Sequence, residues 1–473
     1  MQKNMKTDVV IIGAGISGLA TAHFLKKRGL KTIIVEKKDE PGGSIKSERV
    51  EGFLVEHGPN NALDTTPILG EMFEDLGIES EREFANDRSK NRYIVRDGDL
   101  NALPMGAGPF LKTRLFSTSA KLRLLKEPFI SPCDPNKEET LAQFVERRLG
   151  REFLDYAIDP FVSGVYAGVP EALSVKSAFP KLYDLEQKYG SLIKGTFMGA
   201  RERKKRNEVS KQSARLFSFR EGLQTMINSL QTEFADDLYL GARLEGVERT
   251  DGGWEIQFLR GQEKYIVETE ALLLTIPVHA YSELPGALFQ PLVPELNKIP
   301  YPPVTMVYFG YKGNPAARSL DGFGFLVPRK EKRQILGSIW SSTIFSGRAP
   351  QGDTAFTTFI GGTRQPENAL LPESRIVDLV SADLKDLLGI QVKPDVVVVR
   401  PWSKAIPQYN IGHSHIIEKV EEFERANSGV FLSGNFRGGI SVSDCVKNAK
   451  GMAERISGEL KIKPEKAARE VNV

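Results

Sequence analysis

Apolar positions in this chain follow two rhythms, and the changes between them mark its elements. Val9-Val10-Ile11-Ile12 is an unbroken apolar strand running into Gly13-Ala14-Gly15-Ile16-Ser17-Gly18 and a helical stretch that ends near Gly29. Lys31 to Val35 reads as a second strand closed by Glu36, and strand, helix, strand implies a parallel sheet. Thr66-Pro67 predicts an N-cap with proline at the first helical position, Ile68, Leu69, Met72, Phe73 and Leu76 on one face, and Gly77 as the stop. Gly246-Val247-Glu248 and Trp254 to Phe258 suggest a strand pair, and Ala271 to Pro277 a buried strand that returns the chain to the first sheet. From Val304 to Gly362 apolar and polar residues alternate, as in a large, mostly antiparallel sheet. Ser374 to Gly389 switches to helical spacing. Val430 to Asn435 is a strand with a tight turn, and Gly438-Gly439-Ile440-Ser441 opens the last helix. The charged, proline-containing segment 461–473 is expected to be a disordered tail.

The first glycine turn has the chemistry of a dinucleotide site. Gly13 permits the strand-to-helix turn, Gly15 lets backbone N–H groups approach a pyrophosphate, and Gly18 lets helix pack on strand. Glu36, 23 positions after Gly13, can accept hydrogen bonds from a ribose with free hydroxyls, which disfavours a 2′-phosphate and so NADP. Gly42-Gly43 adds a second close backbone approach, a habit of FAD proteins more than of NAD ones. A nicotinamide enzyme needs only this first half. Joining it to a second turn at Gly434-Asn435 and the helix opening Gly438-Gly439-Ile440-Ser441 points to a flavin tethered at its pyrophosphate and cradled at its ring.

The chain has 473 residues, 40% of them hydrophobic, enough for two or three domains. Its net charge of +3 gives no argument for nucleic acid. Charge is uneven, however: Lys194 to Arg220 holds nine Lys or Arg against two Glu, either a solvated face or contact with an anionic bilayer. Lys112, Arg114, Lys121, Arg123 and Lys126 interleave with Phe110, Leu111, Leu115, Phe116, Leu122, Leu124 and Leu125. An amphipathic helix in the headgroup plane and core packing with snorkelling lysines fit that stretch equally. Cys133 and Cys445 indicate neither a disulfide nor a zinc site. Of the five histidines, His413-x-His415 reads as a surface strand or turn rather than a metal site. No segment has the apolar length of a spanning helix.

A resemblance covers nearly the whole chain. Asp159-Pro160-Phe161-Val162-Ser163-Gly164-Val165-Tyr166-Ala167-Gly168, Leu185-Glu186-Gln187, Gly322 to Pro328, Phe345 with Arg348-Ala349-Pro350, Gly361-Gly362, Trp402 to Tyr409 and Gly434 to Cys445 match in order. On these the chain resembles the FAD-dependent protoporphyrinogen oxidase family, within the amine-oxidase and phytoene-desaturase group of flavoproteins. The resemblance implies that FAD is held by Gly13, Ala14, Gly15, Ile16, Ser17, Gly18, Glu36, Lys37, Gly43, Ser44, the loop Gly58-Pro59-Asn60-Asn61, Val247, Trp402, Gly434, Asn435, Ile440, Ser441 and Val442. Ser44 stands where many relatives carry Arg, and Asn435 where many carry Asp. For substrate it implies Arg92 on a propionate and Gly164, Leu326 and Phe345 around a macrocycle; without it, Arg92 reads as a surface charge and Phe345 as core.

The expected fold is α/β: a discontinuous Rossmann-like FAD domain (1–91, 214–277, 395–460), a helical, basic, membrane-associating insertion (92–213) and a mixed-sheet substrate domain (278–394). The implied reaction is oxidation of a porphyrinogen by O₂ in three flavin rounds, with the flavin performing the chemistry and no acid–base dyad evident. Protoporphyrinogen is preferred and coproporphyrinogen III kept as the alternative. An amine oxidase or desaturase, and a prenyl-protein-binding protein of the same fold, are the more distant readings. Expected partners are the porphyrinogen, O₂, a peripheral membrane contact and, as an open alternative, a second copy in a homodimer. The expected location is cytoplasmic, with contact on the cytoplasmic face of the membrane.

Overall fold

A computed structural model of the chain describes residues 2–196, 198 and 214–470; the basic run 201–206 lies outside them. The strand Gln2–Ile12 is the centre of the first sheet. Its polar first half is largely exposed, whereas Val9, Val10 and Ile11 are fully buried, as β-branched residues covered on both faces should be. It pairs in parallel with Thr32–Val35 on one side and with Glu263–Leu274 on the other. Val430–Leu432 adds in parallel beyond Leu272–Leu274, while the first half of Glu263–Leu274 continues into an antiparallel meander with Gly253–Arg260 and Ala242–Thr250. The helices Ile16–Lys26 and Val442–Glu470 share one face of this sheet, packed through Leu19, Ala20, Val446, Ala449 and Ala453.

A second sheet has the order Val396–Trp402, Val304–Tyr311, Thr354–Gly361, Ile335–Ile339, Gly322–Leu326, Asn91–Arg96, Asp99–Ala102. Every pairing is antiparallel except that of Gly322–Leu326 with Asn91–Arg96. The helix Glu373–Leu388 covers one face through Ile376, Val380 and Leu384 against Val307, Phe309, Phe356 and Ile360. On the other face Met306, Tyr308 and Ala355 pack against Phe53 and Val55 of the strand Phe53–Glu56, which pairs with Ser47–Val50.

Two expectations need correction. The segment from Arg92 to Pro128 is not one amphipathic helix, nor does it begin as a helical insertion. Asn91–Arg96 and Asp99–Ala102 are strands of the second sheet, followed by the short helices Ala107–Lys112 and Thr118–Arg123 and a 3₁₀ stretch, Leu124–Phe129. Pro104, Gly106 and the Ser117 N-cap interrupt the helical period. His413 is not on a surface strand or turn: it is the buried first residue of the helix His413–Ala426. The last helix, Val442–Glu470, runs into the segment expected as a disordered tail, whose end, 471–473, lies outside the described residues.

Candidate functional site at the edge of the parallel sheet

The register Ile12↔Leu274↔Leu432 sets two glycine turns on one sheet edge, two strands or about 10 Å apart. Gly13 has φ +108°, and its carbonyl accepts from Thr275 Oγ1 at 2.9 Å. A Cβ on Gly18 would lie 2.0 Å from Gly13 O, so helix and turn can approach this closely only with glycine there. Nothing lies within 4 Å of where a Gly15 Cβ would be, and the helix after it has no capping side chain. Its N-terminal N–H groups thus face open space, the arrangement that receives a phosphate. Glu36 ends the neighbouring strand and accepts from Ala14 N–H at 2.8 Å and Lys38 N–H at 2.9 Å. Gly42 N–H donates to Ala14 O, and Gly43 lies against Gly15.

At the second turn Gly434 has φ +143°. Ser441 caps the last helix, accepting from Asp444 N–H (3.1 Å) and donating to Asp444 Oδ2 (2.7 Å). Val442 is that helix's first residue, with Ile440 in the turn before it. The two chain ends meet directly, since Leu19 and Ala20 of the first helix pack with Val446, Ala449 and Ala453 of the last, beside the buried Cys445 thiol, which burial pushes up to about 11. Two helix N-termini therefore present positive potential at one edge, suited to a pyrophosphate at one and a reduced, anionic ring at the other.

The loop Gly58-Pro59-Asn60-Asn61 follows on this side. A Gly58 Cβ would clash with Ser44 O, so Ser44 and Gly58 are neighbours, and His57 O accepts from Trp402 Nε1 at 2.9 Å. Trp402 and Gly43 share a cavity of about 160 Å³ with Lys38, Glu40, Lys46 and Arg400. Lys37 and Val247 lie farther along the same edge. The Lys37 ammonium is paired with Glu283 at 3.0 Å. Val247 lies five residues, roughly 17 Å, along its strand from Ala242, whose N–H donates to Glu36 O, so the strand expected to border the adenine starts beside the ribose acid.

The residues expected to meet substrate gather at the face of the second sheet opposite the helix Glu373–Leu388. Leu326 is half-buried and touches Gly164 of the helix Asp159–Tyr166, where a Cβ would stand 2.3 Å from Leu326 Cδ2. Asp159 docks that helix by accepting from Arg329 N–H (2.8 Å) and Arg364 Nη2 (2.9 Å). Arg92 pairs with Gly324 and so shares this face; its exposed guanidinium lies 5.7 Å from the Phe323 ring and has no carboxylate partner among the described residues. Phe345 is buried, lining a small cavity with Leu54, Asn60, Asn61, Ile339 and Arg348.

Sequence reasoning missed Ile339 and Phe359. Register puts them beside Leu326, with Ile339 opposite Gly324 and Phe359 opposite Gly337, and both are half-buried. It also gave no role to Tyr409, whose hydroxyl donates to Asn435 O (2.6 Å) and accepts from Gly439 N–H (3.0 Å), tying together both sides of the ring-end turn. Tyr409 stacks on His413 at 4.1 Å, and burial pushes the His413 imidazole down to about 4. A tyrosine within a quoted motif was the available signal. Among the described residues no His, Cys, Asp and Glu group could hold a metal ion.

An open phosphate cradle, a ribose acid and a second helix aimed at the same edge make the chain a flavin-dependent oxidoreductase, and the residues present fit FAD. Residues 16–457 match the flavin containing amine oxidoreductase family, and the chain belongs to it, with FAD as its cofactor. Within that family it stands with the protoporphyrinogen oxidases. It is 32% identical to protoporphyrinogen oxidase 2, chloroplastic/mitochondrial, of Arabidopsis thaliana, over 95% of this chain and 93% of that protein. It is 27% identical to coproporphyrinogen III oxidase of Bacillus subtilis (strain 168), over 94% and 97%. A solved structure from Exiguobacterium sp. 255-15, provisionally designated a protoporphyrinogen oxidase, is 25% identical with a TM-score of 0.79, covering 97% of this chain and 99% of that one. A putrescine oxidase triple mutant, 16% identical with a TM-score of 0.69 over 96% and 99%, shares the fold.

Proposed function

We propose that this chain oxidises protoporphyrinogen IX to protoporphyrin IX with O₂ in tetrapyrrole synthesis. The observation that carries the reading is the apolar row Leu326, Ile339 and Phe359, flattened by Gly324 and Gly337, with Arg92, which pairs with no carboxylate among the described residues, on the same face. A flat macrocycle suits the row, and a guanidinium can hold a propionate bidentately. Six electrons leave the substrate, so three O₂ become three H₂O₂. Bound FAD supplies two-electron chemistry in each round; the protein's own part is to hold the cofactor at Gly13–Gly18, Glu36 and the Tyr409-tied turn, and the substrate against the row. An amine oxidase would pair a second aromatic with Trp402, and among the described residues no ring pairs with it.

Fluorescence of purified protein mixed with each porphyrinogen under air tests the reading. Porphyrin emission should appear fastest with protoporphyrinogen IX. Faster emission with coproporphyrinogen III would instead select the substrate of the Bacillus subtilis relative, and none with either would overturn both.

Peripheral membrane contact belongs to the same proposal. Leu111, Leu122, Leu125 and Phe129 are exposed beside the exposed cations Lys112, Arg114 and Lys126, which supports an anionic headgroup surface as partner. No described helix is long and apolar enough to cross a membrane. Co-sedimentation with phosphatidylglycerol vesicles, weakened by salt, is the expected outcome; no co-sedimentation at low salt would refute it.

A further inference from the structure

Each oxidation round must dispose of a proton. A carbon-bound hydrogen leaves the macrocycle as hydride with the C–H electron pair, and a proton leaves with it, from a pyrrole N–H in two rounds and from a second bridging carbon in the third, the electron pair of the broken N–H or C–H bond entering the new double bond. The hydride and the proton both end in H₂O₂ once O₂ is reduced, so the proton must be held in the interval. Behind Phe345 lies a cavity of about 10 Å³, room for one water, lined also by Glu56, Arg348, Asn60, Asn61 and Ile339. Its lining thus joins Ile339 of the apolar row to Asn60 and Asn61 of the cofactor loop. Arg348 is 3% exposed, and its buried Nη1 has no hydrogen-bond partner, standing 3.6 Å from Glu56 Oε1. A buried guanidinium nitrogen of this kind calls for a water.

We propose that Glu56, reached through one water in this cavity, takes up the substrate's proton in each round and returns it when O₂ is reduced. The proposal rests on the porphyrinogen reading above. Glu56 is held in place by Ser47 Oγ (2.5 Å) and Leu223 N–H (3.0 Å), both donating to it, and is 3% exposed. Burial raises its carboxyl to about 7, against the pull of Arg348 and those two hydrogen bonds. Such a value suits reversible proton uptake near neutral pH. Arg348 is the charged group facing Glu56; Glu83 and Tyr308 act on Arg348, Arg49 is paired with Glu221, and the adjoining His57 is bonded to Glu48.

The test is anaerobic mixing of the FAD-loaded protein with protoporphyrinogen IX, following bleaching of the flavin from about pH 5.5 to about pH 8.5. Only the carboxylate can accept a proton, so bleaching by the wild type should accelerate as pH rises through about 7. Glu56→Gln should retain FAD, lose this pH dependence and bleach roughly a hundredfold more slowly. Glu56→Asp should restore part of the dependence. Arg348→Gln, which removes the facing positive charge, should move the limb to higher pH by about one unit or more. A purely structural ion pair would leave the limb where it is. A wild-type rate that ignores pH, or a Glu56→Gln protein that keeps the limb, overturns the proposal while leaving the porphyrinogen reading intact. A wild type that no porphyrinogen bleaches overturns both.

Discussion

Glu36 and Arg92 separate the two halves of the site residue by residue. Glu36 is the acceptor for two backbone N–H groups at the fingerprint as well as the expected ribose partner. Glu36→Ala should weaken FAD retention about tenfold or more, since hydrogen bonds to a charged group contribute about 1.5–3 kcal/mol each. A variant that purifies fully loaded with flavin would contradict the ribose role. Arg92→Ala should instead raise KM for porphyrinogen about tenfold or more at unchanged FAD content; flavin loss, or wild-type kinetics, would place its guanidinium elsewhere. The glycine fingerprint and Glu36 were legible in the sequence because their roles follow from local turn geometry, whereas Arg92 was singled out by resemblance alone. Ile339, Phe359 and Glu56 were not legible, because their common cleft is created by strand register and by packing of segments hundreds of residues apart.

Helix ends were the most readable of the elements. The start at Thr66-Pro67 and the stop at Gly389, which has φ +72°, lie where cap chemistry puts them. The Arg92 to Pro128 segment was misread because alternating basic and apolar residues suit a strand, a short helix and a surface helix alike. At the last helix the cap also serves the cofactor, because Ser441 fixes the turn that ends at Val442. Ser441→Ala should cost about 1 kcal/mol in thermal or urea unfolding and loosen FAD, with Ser441→Asp recovering most of the stability. Unchanged unfolding in the alanine variant would remove the cap from the account.

At the scale of the molecule, Glu56 couples stability to pH. Its carboxyl is raised from the usual 4.5 to about 7, so its stabilising contribution is complete below about pH 4.5 and is lost as pH rises through 7. Relative to wild type, Glu56→Gln should therefore gain up to about 3 kcal/mol between about pH 5 and about pH 8, measured by urea unfolding. A difference independent of pH would mean that the carboxyl titrates normally. The meeting of the chain's ends was legible, since each end carries its own glycine turn after an apolar strand. The order of the second sheet was not: no local pattern announces that Asn91–Arg96 lies parallel to Gly322–Leu326, the pairing that delivers Arg92 to the cleft.

Val430–Leu432 is the final strand to join the parallel sheet, and it carries the ring-end turn with it. During synthesis the ribosome releases the pyrophosphate cradle more than four hundred residues before its counterpart. A nascent chain halted short of Val430 has Leu272–Leu274 as a bare edge and no means of enclosing the vitamin-derived cofactor. Loading must accordingly await release of the finished polypeptide, and a ribosome-stalled fragment lacking the last strand should emerge colourless.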